Sequence, residues 1–248
     1  LFSYIATRVR AADLGVDFGF VGKEFFKGAS FMNLDWGEDT SWWKWHIEDP
    51  SGKVVIDHEP FGATKLKLFE INKPYYDPEF NFIFDGTVID GYGAQDIRYF
   101  EHKLNEVREW LKVESMIRLD DYCILNFRGG EYAGVPELFL PRAYWDDALS
   151  KIGNNFIMYQ VHTDDIVTAR HFFPMEWAFA HEISFNWRSL RYAKHAIISN
   201  SAFAIIPRLL KHLEDPGAVT IAPRKWAGRN KDEEWVRPQN YYRQFQYI

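Results

Sequence analysis

Cysteine is nearly missing from this chain of 248 residues, in which Cys123 is the only thiol. A single cysteine excludes an internal disulfide framework, and its position in an apolar run predicts a buried, inert side chain. No apolar run is long enough to cross a bilayer, and Arg8, Arg10 and Asp13 interrupt the stretch where a signal peptide would be apolar. We therefore expect a protein without a membrane span, located in the cytoplasm or at the inner membrane surface.

Basic residues are too few for a protein whose main partner is nucleic acid, since the formal net charge is -6 and no long basic run occurs. The sequence also lacks a G-x-G-x-x-G fingerprint and a Walker lysine loop, which excludes two familiar phosphate-binding motifs. Aromatic residues, in contrast, make up 18% of the chain. This excess suits sugar binding, because rings pack on the apolar faces of sugars, and it equally suits a thick core.

The first part of the chain predicts a few separate elements. Helical spacing over residues 1–13, stopped by Gly15, predicts a helix. Residues 16–21 and 80–85 have the composition of strands, and residues 97–113 carry the apolar stripe of a helix.

A tryptophan-rich excursion occupies residues 31–64. Within it, residues 45–56 predict a hairpin with its turn at residues 50–52. The excursion is either a wall of an acceptor site or a local aromatic mini-core, and the sequence leaves both open. We place a boundary near residue 120, so that an acceptor-side half-domain of 1–119 precedes a nucleotide-sugar-binding half-domain of 120–248.

The second part of the chain repeats one unit of strand, polar loop and helix. Four apolar, β-favouring runs predict strands at residues 122–125, 155–161, 195–199 and 218–222. Three amphipathic stretches predict helices at residues 140–152, 183–192 and 204–213. Because strands that alternate with helices form parallel sheets with right-handed connections, the expected fold class is α/β.

Polar side chains follow each of these predicted strands. The carboxyl ends of parallel strands meet at one edge of a sheet, and ligands of open α/β sheets bind beyond that edge. These side chains therefore offer cations for phosphates and carboxylates for a ribose or a base. The residues expected at the edge are Asn126, Arg128, His162, Asp164, Asp165, Asn200, Ser201, Arg224 and Lys225.

Arg128 is the most informative of them, because two glycines follow it and let a backbone approach an anion closely. An arginine can fork onto phosphate oxygens, but an arginine at a strand end can equally be held in a salt bridge. His162, Asp164 and Asp165 could together approach a metal, but they do not make a full ligand set. We therefore expect no metal site.

The turn of residues 200–203 precedes the helix that is predicted to begin near Ala204. Pro207 would then fall in the first helical turn, where a missing N–H is tolerated. The start of the helix presents free amides and a positive dipole end to the same edge, which suits a diphosphate. The alternative is an ordinary N-cap, in which Asn200 or Ser201 bonds to its own helix.

Short motifs occur in a fixed order along most of the chain. They are LFSYIA at 1–6, GYGAQDIRY at 91–99, NFRGGEY at 126–132, YQVHTDD at 159–165, HAIISNSAF at 195–203 and TIAPRKW at 220–226. In type and order they resemble the motifs of the α-1,2-fucosyltransferases, glycosyltransferase family 11. The match at residues 195–203 is the closest of the set.

The resemblance implies a GT-B fold of two Rossmann-like half-domains and an inverting, metal-independent transfer of fucose from GDP-fucose to a glycan hydroxyl. It places the β-phosphate on Arg128 and the nucleoside on Asp164 and Asp165. It also places the diphosphate on backbone amides of the turn made by Asn200, Ser201, Ala202 and Phe203. The only small molecule it implies besides the acceptor is the donor, GDP-fucose or another GDP-sugar.

Several positions depart from the family motifs. Asn126 stands where the family has a histidine, Gly129 where it has a second arginine, and Glu131 and Asn186 where it has aspartates. Losing an arginine weakens the neutralisation of a diphosphate. The alternatives are therefore a transferase for another GDP-sugar, or a nucleotide-sugar- or glycan-binding relative without turnover.

A transferase of this kind must stabilise departing GDP without a metal. Arg128 and the amides near Ser201 can do so electrostatically. A carboxylate must take the proton of the acceptor hydroxyl, and Glu131 is the nearest candidate in sequence, with an ion pair as its alternative role. The expected catalytic residues are thus Arg128 and Glu131.

Overall fold

The computed structural model describes residues 1–40, 45–46, 55–56, 67–71, 76–91, 93–114, 119, 121–153, 158–174, 177–226 and 241–248. The chain divides into two units of contiguous packing. Unit 1 comprises Leu1–Ala29 and Leu34–Trp110, and unit 2 comprises Ser30–Asn33 and Leu111–Ile248.

Unit 1 begins with helix α1 (Phe2–Leu14), as the apolar spacing predicts. Ile5 and Val9 are fully buried on its inner face. Gly15 ends the helix in the left-handed conformation, with φ at 67°, where a residue with a Cβ would be strained. The predicted helix and its stop signal are both confirmed.

Two pairs of short strands follow in unit 1. Strand β1 (Trp45–His46) runs antiparallel to β2 (Val55–Ile56), which agrees with the predicted hairpin. The turn of that hairpin and most of the tryptophan-rich excursion lie outside the described residues. Strand β3 (Lys67–Glu70) runs parallel to β4 (Thr87–Asp90).

The strand predicted at residues 16–21 is wrong. Gly19 makes only isolated bridges, to Gly37 and Glu38, and no ladder forms. The aromatic side chains that suggested a strand are engaged elsewhere, because the ring of Phe20 stacks on that of Tyr4 with centroids 5.0 Å apart. Packing on α1 replaces pairing in a sheet.

The strand predicted at residues 80–85 is also wrong, because the first half of the segment belongs to the 3-10 helix Pro78–Phe82 and the rest forms no strand. The carboxylate of Asp77 accepts a hydrogen bond from the amide of Glu79 at 3.1 Å. This cap, with a proline at the first helical position, outweighs the β-favouring aromatic residues.

The helix predicted at residues 97–113 is broken into pieces. Two 3-10 turns, Ile97–Tyr99 and Glu101–Lys103, precede helix α2 (Leu104–Trp110). Phe100 interrupts them with φ at -149°. The predicted apolar stripe is nevertheless buried, and it consists of Phe100, Leu104, Val107 and Leu111.

Unit 2 contains a six-stranded sheet in which every strand pairs in parallel. Its strands are β5 (Tyr122–Phe127), β6 (Met158–Thr163), β7 (Ala178–Phe179), β8 (His195–Ile198), β9 (Val219–Ala222) and β10 (Gln246–Tyr247). Its helices are α3 (Arg142–Ile152), α4 (Ile166–Phe172), α5 (Ile183–Tyr192) and α6 (Ala202–Glu214). The α/β class with parallel strands, expected from the sequence, is confirmed.

The strand order is β10-β9-β8-β5-β6-β7. From β5 the chain moves outward to β6 and β7, and then returns to the other side of β5 for β8, β9 and β10. This is the order of a doubly wound, Rossmann-type sheet. Its topological switch point, where such sheets open a crevice for ligands, lies between β5 and β8.

Helices cover both faces of this sheet. On one face, Leu125 and Phe127 pack with Trp145 of α3 and with Ala169 of α4. Helix α6 lies on the other face of the sheet. Its Arg208 donates to Thr220, whereas the next residue, Ile221, belongs to the core on the first face. Successive side chains of a strand point to opposite faces, so Thr220 and α6 are on the second face.

The helices and strands predicted for the second half are confirmed, and α5 has its predicted bounds. Residues 155–157 of the strand predicted at 155–161 lie outside the described residues. Helix α4 and the two-residue strands β7 and β10 were not predicted. The expected position of Pro207 is wrong, because α6 begins at Ala202 and places the proline inside the helix. Pro207 has no N–H, so the carbonyl of Phe203 loses the helical bond it would otherwise receive.

Arg208 is the most deeply buried cation among the described residues, with an exposed fraction of 0%. Its guanidinium donates to Thr220 Oγ1 at 2.8 Å and to the carbonyls of Leu190, Ala193, Lys194 and Val219 at 2.6–3.2 Å. Burial lowers its pKa to about 9. All five N–H groups of the side chain are used to join the end of α5 to β9.

Among the described residues, no helix combines the length and the apolar character needed to cross a membrane.

Candidate functional site

The carboxyl ends of β5 and β8 lie side by side at the switch point of the sheet. Asn126 is opposite Ile198 in the ladder. Beyond it, the amide of Ser199 donates to the carbonyl of Asn126 at 3.1 Å, and the Ser199 hydroxyl donates to Asn126 Oδ1 at 3.1 Å. The structure therefore places Asn126 as a buried link between the two strand ends.

Arg128 follows β5 and is held by two carboxylates. Its Nη1 lies 2.9 Å from Oδ2 of Asp164, and its Nη2 lies 3.5 Å from Oε1 of Glu131. The guanidinium also lies over the ring of Tyr132, 5.1 Å from the centroid. Its Nε is buried and has no hydrogen-bond partner in the described part of the chain. Arg128 thus has donor capacity that these contacts do not use.

Asp164 and Asp165, at the end of β6, bind the loop that carries Arg128. The amide of Gly129 donates to Asp164 Oδ1 at 3.1 Å, and the amide of Gly130 donates to Asp165 Oδ2 at 3.1 Å. Asp165 also caps α4 by accepting from the amide of Thr168 at 3.0 Å. The hydrogen bond from the Thr168 hydroxyl contributes most to lowering the pKa of Asp165, and the amides of Thr168 and Gly130 lower it further. Asp165 is therefore committed to local structure more fully than Asp164.

No side chain fits at Gly129. A Cβ built there would lie 2.6 Å from the Cβ of Asp165. Gly130 has φ at 38°, which side chains rarely adopt. The loop after β5 therefore carries one arginine, and a second at position 129 is excluded by the packing of Asp165.

Glu131 is the most exposed member of this group, with 78% of its side chain accessible. The 3.5 Å contact to Arg128 is its ion pair in the structure. An exposed pair at this distance is weak, typically about 0–1 kcal/mol. The carboxylate can consequently leave Arg128 for another partner at little cost.

Asn200 anchors the turn that leads into α6. Its Nδ2 donates to the carbonyls of Leu138 at 2.9 Å and Trp226 at 2.6 Å. Its Oδ1 is buried without a hydrogen-bond partner among the described residues. Asn200 thus links its own turn to the backbone at Leu138 and at Trp226, and its side-chain oxygen stays unused.

Ser201 is the N-cap residue of α6, but its side chain makes no capping hydrogen bond. The backbone of Ser201 takes part in one hydrogen bond of this turn, in which the amide of Ala204 donates to the carbonyl of Ser201 at 3.0 Å. Among the described residues, no side-chain cap therefore covers the amides of Ala202 and Phe203, and the ordinary N-cap interpretation lacks its defining bond. A 13-residue helix directs its positive end to the switch point.

His162 lies on β6 beside Asn126 and is buried. Desolvation first, and the nearby His181 imidazole second, lower its pKa to about 3. The ring is therefore neutral near neutral pH and cannot neutralise a phosphate. It packs against the rings of His181 and Phe185, with centroids 5.2 and 5.7 Å away.

Sequence reasoning missed Tyr132, His181 and Phe185 as neighbours of the predicted residues. Tyr132 stands inside the NFRGGEY motif, so its position beside Arg128 was accessible from the sequence. His181 and Phe185 meet His162 only through the packing of α5 on the sheet, and no local pattern carries that signal. Arg224 and Lys225 follow β9, as predicted, and Arg224 is exposed.

Comparison of the chain with protein-family models, with curated proteins and with solved structures finds no match.

Proposed function

We propose that the chain is a glycosyltransferase that moves fucose from GDP-fucose to a glycan hydroxyl, with inversion and without a metal. The observation that carries this proposal is that Arg128 and the start of α6, whose N-cap makes no side-chain bond, follow the neighbouring ends of β5 and β8 at the switch point of a doubly wound sheet. A phosphate-binding role needs positive charge and free amides close together, and Arg128 and the start of α6 would supply them.

The diphosphate would bind at the adjacent ends of β5 and β8, which are about 4.8 Å apart as neighbouring strands. The amides of Ala202 and Phe203 and the dipole of α6 would favour an anion by about 0.3–2 kcal/mol. Arg128 would fork onto the phosphate oxygens in place of its weak contact with Glu131. Its pair with Asp164 would keep the guanidinium oriented.

Glu131 would then be free to act as the base. The acceptor oxygen would attack the anomeric carbon as the bond between that carbon and the β-phosphate oxygen breaks. Glu131 would take the proton of the acceptor hydroxyl, and GDP would leave with the bonding electrons. Arg128 and the α6 amides would stabilise the charge that develops on GDP.

The remaining predicted residues would have supporting roles. Asp164 has more free acceptor capacity than Asp165, so it is the better contact for the nucleoside, with neutral His162 beside it. Asn126 would fix the two strand ends, and Asn200 would fix the turn. We also propose that unit 1 is the acceptor side of a GT-B architecture.

The second candidate is a nucleotide-sugar-binding protein without turnover. The packing at Gly129 favours it, because the backbone there has no room for a second arginine. A diphosphate bound by one arginine is neutralised less completely, and its departure is less well stabilised.

Binding and turnover of nucleotide sugars test both candidates. GDP, GDP-fucose, GDP-mannose and a UDP-sugar are each added in EDTA, and melting temperature and sugar release are measured. A ligand at a hundred times its Kd stabilises the folded state by about 2.7 kcal/mol, so we expect a clear shift for GDP and GDP-fucose. Transfer or release of fucose supports the enzyme, and binding without release supports the second candidate.

Two results would contradict the proposal. One is the absence of any shift with guanine nucleotides. The other is an activity that EDTA abolishes and manganese restores, which would show a metal-dependent transferase. The matched variant Glu131→Gln keeps the size of the side chain and removes the base, so it should bind GDP normally and lose transfer.

A further inference from the structure

A cavity of about 640 Å³ lies within unit 1. Small-molecule sites commonly have volumes of about 300–1,000 Å³. In the part of the chain that the structure describes, its wall is formed by α1, by residues 16–21 and by residues 83–91, which include β4. The cavity thus has the size of a ligand site and involves none of the residues of the candidate functional site in unit 2.

Several of the apolar side chains that line the cavity are exposed to solvent. Leu14, Val21, Leu68 and Phe84 are 37%, 50%, 37% and 55% exposed, and all four line the cavity. Uncovered apolar residues scattered singly are ordinary, but their convergence on one concave surface indicates a binding site. The body of the ligand is therefore apolar.

The charge around this wall is negative. Its carboxylates are all exposed, and they are Asp17, Glu38, Asp85 and Asp90. The one cation among the described lining residues is Arg10, whose Nη2 donates to the carbonyl of Asn81 at 2.7 Å and whose Nε donates to that of Ile83 at 3.2 Å. Carboxylates therefore dominate the charge of the lining, which repels anions and attracts cations.

We propose that this cavity binds an amphipathic amine, a small ligand with an aromatic or branched apolar body and a protonated amino group. The body packs on Leu14 and Phe84, and the ammonium group lies among the carboxylates. The charge complementarity excludes fatty acids and phosphorylated ligands. This site is distinct from the proposed donor site, because a GDP-sugar is an anion and would be repelled here.

Phenethylamine, phenethyl alcohol and phenylacetate test the proposal, because they share one ring and differ in the charge of the head group. Ligand-observed NMR titrations measure their affinities. We expect the amine to bind about tenfold more tightly than the alcohol, and phenylacetate to bind most weakly. Equal binding of amine and alcohol, or tightest binding of phenylacetate, would overturn the assignment.

Variants locate the site and its charge. The pair Glu38→Gln with Asp85→Asn should remove the preference for the amine, whereas Glu24→Gln, an exposed carboxylate outside the cavity, should keep it. Leu14→Trp should fill the cavity and weaken all three probes, with the circular dichroism of the protein unchanged. If Leu14→Trp binds the amine as the parent protein does, the cavity is not the site. Leu14→Trp should still bind GDP as the parent protein does. A failure of the amine site can therefore be told apart from a failure of the proposed transferase.

Discussion

The two units offer ligands surfaces of contrasting chemical character. In unit 2, the sheet brings Arg128, Asn200 and the start of α6 to one polar edge, where Arg128 Nε and Asn200 Oδ1 have no hydrogen-bond partner among the described residues. In unit 1, α1 and β4 enclose an apolar concavity with carboxylates around it. A parallel sheet collects polar groups because all its strands end at one edge. The helix and short strands of unit 1 instead leave a cavity lined by apolar side chains. One surface suits an anion and the other a cation with an apolar body.

The largest effect should come from the arginines that bond to carbonyls in each unit. Arg208→Met in unit 2 removes a buried donor from four carbonyls and a hydroxyl, of which the carbonyl of Lys194 keeps the amide of Val219 and the hydroxyl of Thr220 keeps His212. It should lower the free energy of unfolding by about 3–5 kcal/mol. Arg10→Met in unit 1 removes a partly exposed side chain and should cost less than about 1 kcal/mol. Urea denaturation measures both, and equal losses would show that burial does not separate the two arginines.

The next largest effect concerns the phosphate site. Ala202→Leu places a bulky side chain at the first helical position of α6, and we expect GDP affinity to fall more than about a hundredfold, or about 2.7 kcal/mol. The melting temperature should stay nearly unchanged. Ala12→Leu, an exposed position on α1, is the matched control and should bind GDP as the parent does. Calorimetric titration measures the GDP affinity of both variants. If Ala202→Leu binds GDP as tightly as the parent protein, the turn at residues 200–203 does not bind the diphosphate.

A smaller loss is expected from Arg128→Ala, about tenfold to thirtyfold in GDP affinity, because the α6 amides remain. Arg128→Lys should recover only part of the loss, since an ammonium group is a point charge that cannot fork. Removing Arg128 also leaves Asp164 without its ion-pair partner, so stability is measured alongside by thermal unfolding. Unchanged GDP affinity in the alanine variant would remove Arg128 from the site.

The last effect is a gradual change of stability with pH. His162 and His212, both in unit 2, have pKa values lowered to about 3 and about 4, in each case chiefly by desolvation. Their neutral forms are favoured in the folded state, so the unfolded state takes up protons first as the pH falls. Stability is therefore full above about pH 6.5 and declines below it, by about 1.4 kcal/mol per pH unit for each histidine.

His212→Gln separates this effect from acid titration of carboxylates. Glutamine can still reach the Thr220 hydroxyl, which lies 3.0 Å from His212 Nε2, but it cannot be protonated. The slope of unfolding free energy against pH, measured in urea between pH 6.5 and about 4, should fall by about 1.4 kcal/mol per pH unit. An unchanged slope would mean that His212 is protonated in the folded protein.

The sequence predicted the centre of unit 2 well because its elements repeat a simple pattern. The buried runs of β5 and β8 and the stripe of α5 are each visible without tertiary information. The two-residue strands β7 and β10 are too short to have a pattern. In unit 1, residues 80–85 have strand-like composition, but the cap at Asp77 decides their conformation.

The candidate site was predictable in its members more than in its contacts. Strand ends in a parallel sheet placed Arg128 and Asn200 at one edge from the sequence alone. That Asn126 bonds to Ser199, and that Asp165 is used as a helix cap, depends on side-chain geometry that spacing does not encode. The neutral state of His162 depends on burial by α5, a contact distant in sequence.

The closeness of Gly129 to Asp165 has a consequence for how this loop could change, by design or by mutation. Arginine cannot be introduced at position 129 in one step, since its Cβ would lie 2.6 Å from that of Asp165. Asp165→Gly would make room, but it would also remove the cap of α4, at a cost of about 1 kcal/mol. Any lineage or design that gains the second cation must therefore change two positions together and stabilise α4 by other means.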